Sequence, residues 1–422
     1  MDIARRRFLE AAALTMALAG TAACGGGNDG SGKGEGSGTL EFWTIALQPT
    51  FTDYFNGLIK AYEEANPGVK VNWTDLPYDS IEEKLITASA GGTAPDVVNL
   101  NTEFALTMAG KKALADIAKL TTSEEQAVYI ESLWDSAKLG DAVYAFPWYA
   151  APNIMIYNKS LFEKAGLTSQ PTTYTEALQM APTMKAATGA YLFNPPTLFN
   201  LFSEEDVAIL SEDKTKATFA TDTADKLLSS FKELTDKDDL PKTDWGQWDT
   251  ELKLFETGQL AIINSSSASV ARIKDEAPDV YEQIGIAMPL KGTAGVSRNP
   301  LMNLVIPSKS SQQEAAAKFA MFITGDDNQL SFAKEAGIFP STVKASQDPY
   351  FTSDTSTIEG QASAMCAEAS KTSADFSLGV EGQSTIADEV NKAYEAAVIN
   401  GDDVKESLAS AQEAVDALLK QG

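Results

Sequence analysis

Between residues 39 and 120 the chain alternates strand-like and helix-like stretches, and this alternation restricts the fold more than any other feature. TLEFWT, residues 39–44, reads as a strand. In FTDYFNGLIKAYEEANPG the apolar residues Phe51, Tyr54, Phe55, Leu58, Ile59 and Tyr62 fall on one helical stripe, and Asn66, Pro67 and Gly68 end it. VKVNW then alternates Val69, Val71 and Trp73 as a second strand. SIEEKLITASA reads as helical, DVVNLN as a third strand, and residues 104–120 as largely helical. A β-α-β-α-β order packs as a parallel sheet with right-handed crossovers, an α/β architecture. Ligands of such sheets bind beyond the carboxyl ends of the strands. Those ends fall at residues 44–48, at Pro77 and Tyr78, and at residues 101–103.

The stretch ahead of the first strand is not part of that fold. Arg5, Arg6 and Arg7 form a positive region, Phe8 and Leu9 lead into a short apolar run, and small residues end at Thr21, Ala22 and Ala23 before Cys24. This is a secretory signal over residues 1–23, too short for a stable membrane span. Arg5 and Arg6 followed by Phe8 and Leu9 also resemble the twin-arginine export motif; an ordinary signal with three basic residues is the alternative. Cys24 after small residues resembles a bacterial lipoprotein cleavage site, where the cysteine is acylated and becomes the N-terminus. Thr21 departs from that pattern, which usually has Leu there, so cleavage by the ordinary signal peptidase stays open. Gly27 to Gly34 comes one residue short of a phosphate-binding loop, but no β-branched strand precedes it and Gly34 replaces the metal-binding hydroxyl. Eight of the fourteen residues 25–38 are glycine, which is tether composition with a reach of roughly 20 Å.

Composition removes whole classes of chemistry. The chain has no histidine, so Ser-His-Asp and Cys-His catalysis and every His-ligated metal site are excluded. No G-x-S-x-G or C-x-x-C occurs, and neither cofactor nor metal is expected. A carboxylate-pair glycosidase needs no histidine and stays open. Residues 1–23 carry three arginines against Asp2 and Glu10, one net positive charge, which leaves the remainder at −27 rather than −26. Such an acidic surface argues against nucleic acid as a partner. With Cys24 lipidated, Cys366 has no partner for a disulfide and reads as a small buried residue.

A set of segments then carries a resemblance. ANPGVKVNW, GGTAPDVVNLN, YAFP followed by IMIYNKSLFEKAGL, LFETGQLAII, LVIPSKSSQQEAAAKFAMFIT and EAGIFPST occur in this order. Together they resemble the extracellular solute-binding proteins of bacterial ABC sugar importers, specifically the maltose-binding-protein-like group. The match runs from residue 39 into the 340s; the segment after 384 is less distinctive. The resemblance implies a two-lobe periplasmic-binding-protein fold, each lobe a mostly parallel sheet flanked by helices, closing on ligand about a hinge. It implies that residues 24–38 tether the protein, that lobe one comprises 39–150 and 299–340, and that lobe two comprises 151–298 and 341–422. It also implies a monomeric receptor, held to the outer face of the membrane by a lipid anchor, which delivers a mono- to oligosaccharide to ABC permease subunits.

A sugar offers apolar C–H faces and a fringe of hydroxyls, so its site calls for aromatic platforms and a few planar polar groups. FPWYAAP places Trp148 and Tyr149 beside the expected hinge without helical spacing, as a platform or as interlobe packing. Asn101, Thr102 and Glu103 follow the third strand, and Glu103 matches an acidic sugar-binding position of the family. Helix capping by Thr102 with Glu103 in the first turn explains the same residues. Gln48 and Tyr78 sit after strand ends. Ser265 and Ser266 follow the apolar run Leu260 to Ile263, where a helix cap is the alternative. Asn194, Thr197 and Phe199 lie in FNPPTLF, a candidate cleft loop. Trp43, Trp73, Trp245 and Trp248 read as packing residues. A phosphate ligand would want Arg or Lys in the cleft. None stands among these residues, which favours a neutral sugar over a glycerol phosphodiester; a polyol or a peptide is the remaining alternative. Glu103 is the only carboxylate among them, which disfavours a glycosidase.

Overall fold

The computed structural model describes residues 38–420 apart from 78–79, 243–247 and 381. The signal, the tether, Cys24, Tyr78 and Trp245 therefore lie outside the described residues. Among those described, no helix is long and apolar enough to cross a membrane.

Strands β1 (Gly38–Ile45), β2 (Val69–Leu76) and β3 (Val97–Asn101) form as the alternation requires. β1 pairs in parallel with β2 on one side and β3 on the other. The crossover helix Thr52–Ala65 buries Phe55, Ile59 and Tyr62 against them. It stops at Asn66, and Gly68 takes φ 98°, a conformation open to glycine, to turn the chain into β2. The second helix covers Ile81–Gly91. The third is shorter than its sequence suggested: it ends at Gly110, and only Ile117–Lys119 resumes a 3-10 turn.

Beyond a small hairpin, β4 (Lys138–Leu139) and β5 (Ala142–Val143), the chain enters β6 (Phe146–Ala150). It then passes through residues 151–153 into β7 (Ile154–Asn158), which opens a second sheet with β8 (Ile262–Ser265) and β9 (Ile284–Ala287). It returns through β10 (Ser297–Arg298) to β11 (Leu301–Val305), and β12 (Phe339–Pro340) and β13 (Ser373–Ala374) complete the strands. The first sheet has the order β12-β6-β11-β3-β1-β2, with β11 antiparallel to both β3 and β6.

The expectation of two mostly parallel sheets needs correction. The second sheet runs β8-β7-β9 with both pairings antiparallel. β8 and β9 point the same way, as strands joined through helices commonly do, and β7 slots between them in the opposite sense. Direction follows from the connections, which hydrophobic periodicity does not reveal.

Separate cores support the two sheets. Phe42, Phe55, Trp148, Phe319 and Phe332 fill the first, and Phe193, Phe202, Phe219, Phe231 and Tyr394 a large one in the second lobe. Where they meet, three segments run side by side. Ala151 N–H donates to the Pro300 carbonyl at 3.0 Å, and Asn153 N–H to the Arg298 carbonyl at 3.2 Å. β10 pairs in parallel with β13, and Asn299 N–H donates to the Ala374 carbonyl at 2.8 Å. Cys366 is buried here, its Sγ 3.6 Å from the Pro152 carbonyl, and burial pushes its thiol up to about 11.

Candidate functional site

A cavity of about 670 Å³ opens at this junction, a size typical of small-ligand sites. One wall is the end of β3. Asn101 caps the helix Thr102–Gly110, its Oδ1 accepting from Phe104 N–H at 2.7 Å. The cap is thus Asn101 rather than Thr102, which leaves Thr102 free for another task. Its hydroxyl accepts from Asn303 Nδ2 at 3.0 Å and hydrogen-bonds the Asp375 carboxyl. Glu103, in the first turn, also lines the cavity, where the helix dipole favours negative charge.

The opposite wall comes from the second lobe. Asn194, Thr197 and Phe199 line it, with Thr197 capping the helix Leu198–Glu204 and Phe199 N–H donating to Asn391 Oδ1 at 3.0 Å. Ser265 and Ser266 line it at the end of β8. Neither caps the following helix, Ala268–Glu276, whose N-cap position is Ser267. The Ser265 hydroxyl instead lies 2.6 Å from that of Ser269.

The aromatic platform needs correction. Trp148 is 1 % exposed, stacked on Phe332 at 5.6 Å and edge-on to Phe55 at 5.8 Å. It is a core residue of the first lobe, because its position on a strand flanked on both sides turns the indole into the packed layer. Tyr149 meets Phe332 edge-on at 5.5 Å and does not line the cavity, and burial followed by the nearby Asp75 carboxylate raises its phenol. Gln48 is exposed outside the cavity, its N–H on the Asp75 carboxylate at 3.0 Å. Trp73 packs on Phe55 and donates to Thr44 Oγ1 at 2.8 Å, as a packing residue should.

What the sequence did not reveal is mostly charge. Glu204 is 4 % exposed and accepts from the Tyr174 hydroxyl at 2.5 Å. Burial pushes its carboxyl up to about 7 against the opposing pull of Tyr174, the Arg298 backbone N–H and the Arg298 guanidinium. Glu251 stands on the same side, pushed up to about 8 by burial alone. Asp375 is pushed up to about 6 by burial, opposed by Thr102, the Arg298 charge and the Leu301 N–H. Arg298 is thus a cleft cation, contrary to the absence of Arg and Lys expected there. On the helix Gln383–Tyr394, residues 383, 384, 387, 388 and 391 face the cavity. Apart from Ala387 these are polar, and their i, i+4, i+8 spacing makes a helical stripe that was open to detection. Arg298, Glu204 and Asp375 carry no such signal, since distant segments bring them together.

Residues 48–330 match the model for bacterial extracellular solute-binding proteins. The chain belongs to that family. Among its relatives is the diacetylchitobiose binding protein DasA of Streptomyces coelicolor, 24% identical over 362 residues, covering 80% of this chain and 82% of DasA. Another is the mannitol-binding protein of Pseudomonas aeruginosa, 24% identical over 302 residues, covering 67% of this chain and 68% of that one. The solved structure of a periplasmic-binding protein from Synechococcus sp. MITs9220 superposes with a TM-score of 0.83 at 27% identity. The superposition spans 90% of this binding protein and 99% of the Synechococcus chain, so the fold is the two-lobe one.

Proposed function

We propose that this protein is the substrate-binding receptor of an ABC importer, capturing a mono- to oligosaccharide outside the cell and releasing it unaltered to a membrane permease. The observation that carries this reading is the cavity at the junction of the two lobes, with walls drawn from both and a lining of Asn, Ser, Thr and carboxyl groups. Such groups are the planar and hydroxyl partners a sugar's fringe requires. The ligands named for DasA and the mannitol-binding protein, both rich in hydroxyls, support it. Lobe one is assigned to 39–150 and 299–340, lobe two to 151–298 and 341–422, and the receptor acts as a monomer.

The phosphodiester alternative is disfavoured by charge: Arg298 is the one cation among the described lining residues, and it faces Glu204 and Asp375. The glycosidase alternative regains some ground from Glu204 and Glu251, so the test must look for products. Calorimetry against a broad panel of sugars and polyols is expected to give at least one tight ligand that chromatography recovers intact. Turnover of that ligand, or no binding across the panel, overturns the reading.

Anchoring through Cys24 completes the proposal, with export by the general or the twin-arginine route. Metabolic labelling with a fatty-acid probe is expected to mark the wild type and not Cys24→Ala. An unlabelled wild type would point instead to ordinary signal cleavage, as Thr21 permits.

A further inference from the structure

The charge balance of the cavity goes further than a generic sugar site. Among the described lining residues, Glu103, Glu204, Glu251, Asp375 and Asp388 stand against Arg298 alone. Arg298 is already engaged, its backbone N–H and its charge acting on Glu204 and its charge on Asp375 as well. Glu204 is further satisfied by Tyr174, and Asp375 by Thr102 and Leu301 N–H. Glu251 is different. It faces the cavity with no hydrogen-bond or ion-pair partner among the described residues, and desolvation is the only influence on it. A second group is also unanswered: Ser297, 1 % exposed and lining the same cavity, has an Oγ with no partner among the described residues. No group of three or more metal-ligating side chains converges among the described residues.

Resting on the carbohydrate reading above, we infer that the ligand is a carbohydrate bearing a cationic nitrogen, an amino sugar or amino oligosaccharide, with Glu251 as its counter-charge. An anionic sugar would meet a field of its own sign. A neutral sugar would fit the hydroxyl and amide lining but leave the excess of acidic groups over Arg298 unanswered. An ammonium group supplies three donors and the missing positive charge in one substituent. Without ligand, desolvation keeps the Glu251 carboxyl protonated up to about pH 8. When the ammonium docks, that proton leaves to solvent and the carboxylate pairs with the cation.

The test uses matched pairs that differ only in hydroxyl against ammonium at carbon 2: glucose and glucosamine, galactose and galactosamine, mannose and mannosamine, cellobiose and chitobiose. Calorimetry at pH 7, where the amines are still largely charged, is expected to favour the amine of the best-binding pair by about 10-fold, and by less at pH 6, where removing the Glu251 proton costs more. The gain is that of a charge-assisted over a neutral hydrogen bond in a partly desolvated site. In Glu251→Gln the amine-to-neutral ratio is expected to fall toward one. Equal or tighter binding of the neutral member in the wild type, which needs no variant to fold, overturns the inference and leaves the carbohydrate reading standing. An amine preference that survives Glu251→Gln overturns the role given to Glu251. Binding by no member of any pair overturns the inference outright. Failure of the carbohydrate reading itself would appear separately, as no heat with any sugar of the wider panel.

Discussion

Trp148 and Glu251 stand at opposite extremes of what a binding protein does with an enclosed side chain. Trp148 packs its indole against the rings of Phe55, Tyr149 and Phe332. Glu251 is half-buried at the wall of a cavity, held neutral by desolvation rather than matched by a partner among the described residues. The first arrangement stabilises the fold and is indifferent to ligand. The second costs the fold something and is repaid only when a ligand arrives. A large aromatic beside a hinge is therefore no guide to contact, whereas an unmatched carboxyl at the lobe junction is.

The largest effect expected from this contrast is on folding, at Trp148. Trp148→Ala removes a buried indole from a packed aromatic layer and should cost about 3–5 kcal/mol in chemical denaturation. Tyr149→Ala, at the margin of the same layer, should cost less. The fraction that remains folded should bind ligand with unchanged affinity. A stable Trp148→Ala protein with weakened binding would reverse the comparison and make Trp148 a cleft residue.

A smaller effect, with a definite pH signature, is expected at Glu251. Its folded value of about 8 lies above the ordinary 4.5, so the folded state retains a proton that the unfolded state has lost. Stability from this group is complete below about pH 4.5 and declines as pH rises through 8, reaching its full penalty above that. Glu251→Gln, neutral at every pH, should match the wild type in ligand-free melts near pH 4.5. By pH 9 it should exceed the wild type by on the order of 2 kcal/mol, less than the roughly 5 kcal/mol (~1.36 per pH unit) that the whole shift would give, because Glu251 is only half-buried and partly screened by solvent. Parallel stability curves across that range would mean that Glu251 is solvated and that its contrast with Trp148 is one of position only.

The same contrast explains how much was legible beforehand. The β-α-β-α-β start was readable because Phe55, Ile59 and Tyr62, and then Val69, Val71 and Trp73, keep strict periodicities. Asn101, Thr102, Glu103, Asn194, Thr197, Phe199, Ser265 and Ser266 could be placed at the cavity wall in advance because they follow strand ends or lead into helices, positions that an α/β fold turns toward its ligand. Trp148 misled because its loop-like setting in FPWYAAP is in fact strand β6, flanked by β11 and β12. Arg298, Glu204 and Asp375 were unreadable, since what defines them is mutual proximity across segments some 75 to 95 residues apart in sequence.

The place of β11 in the first sheet reaches back to the birth of the chain. It lies between β3 and β6, yet it is made about 150 residues after β6. At ribosomal speeds of about 5–20 residues per second, β3 and β6 spend roughly 10–30 s with bare edges where their shared neighbour belongs. Those edges are buried strands rich in Val, Leu and aromatic residues, the kind that join with strangers when left open. The nascent polypeptide is thus a hazard to itself until residue 305 emerges. Escort by a chaperone, or threading outward before the sheet can close, is what this strand order favours.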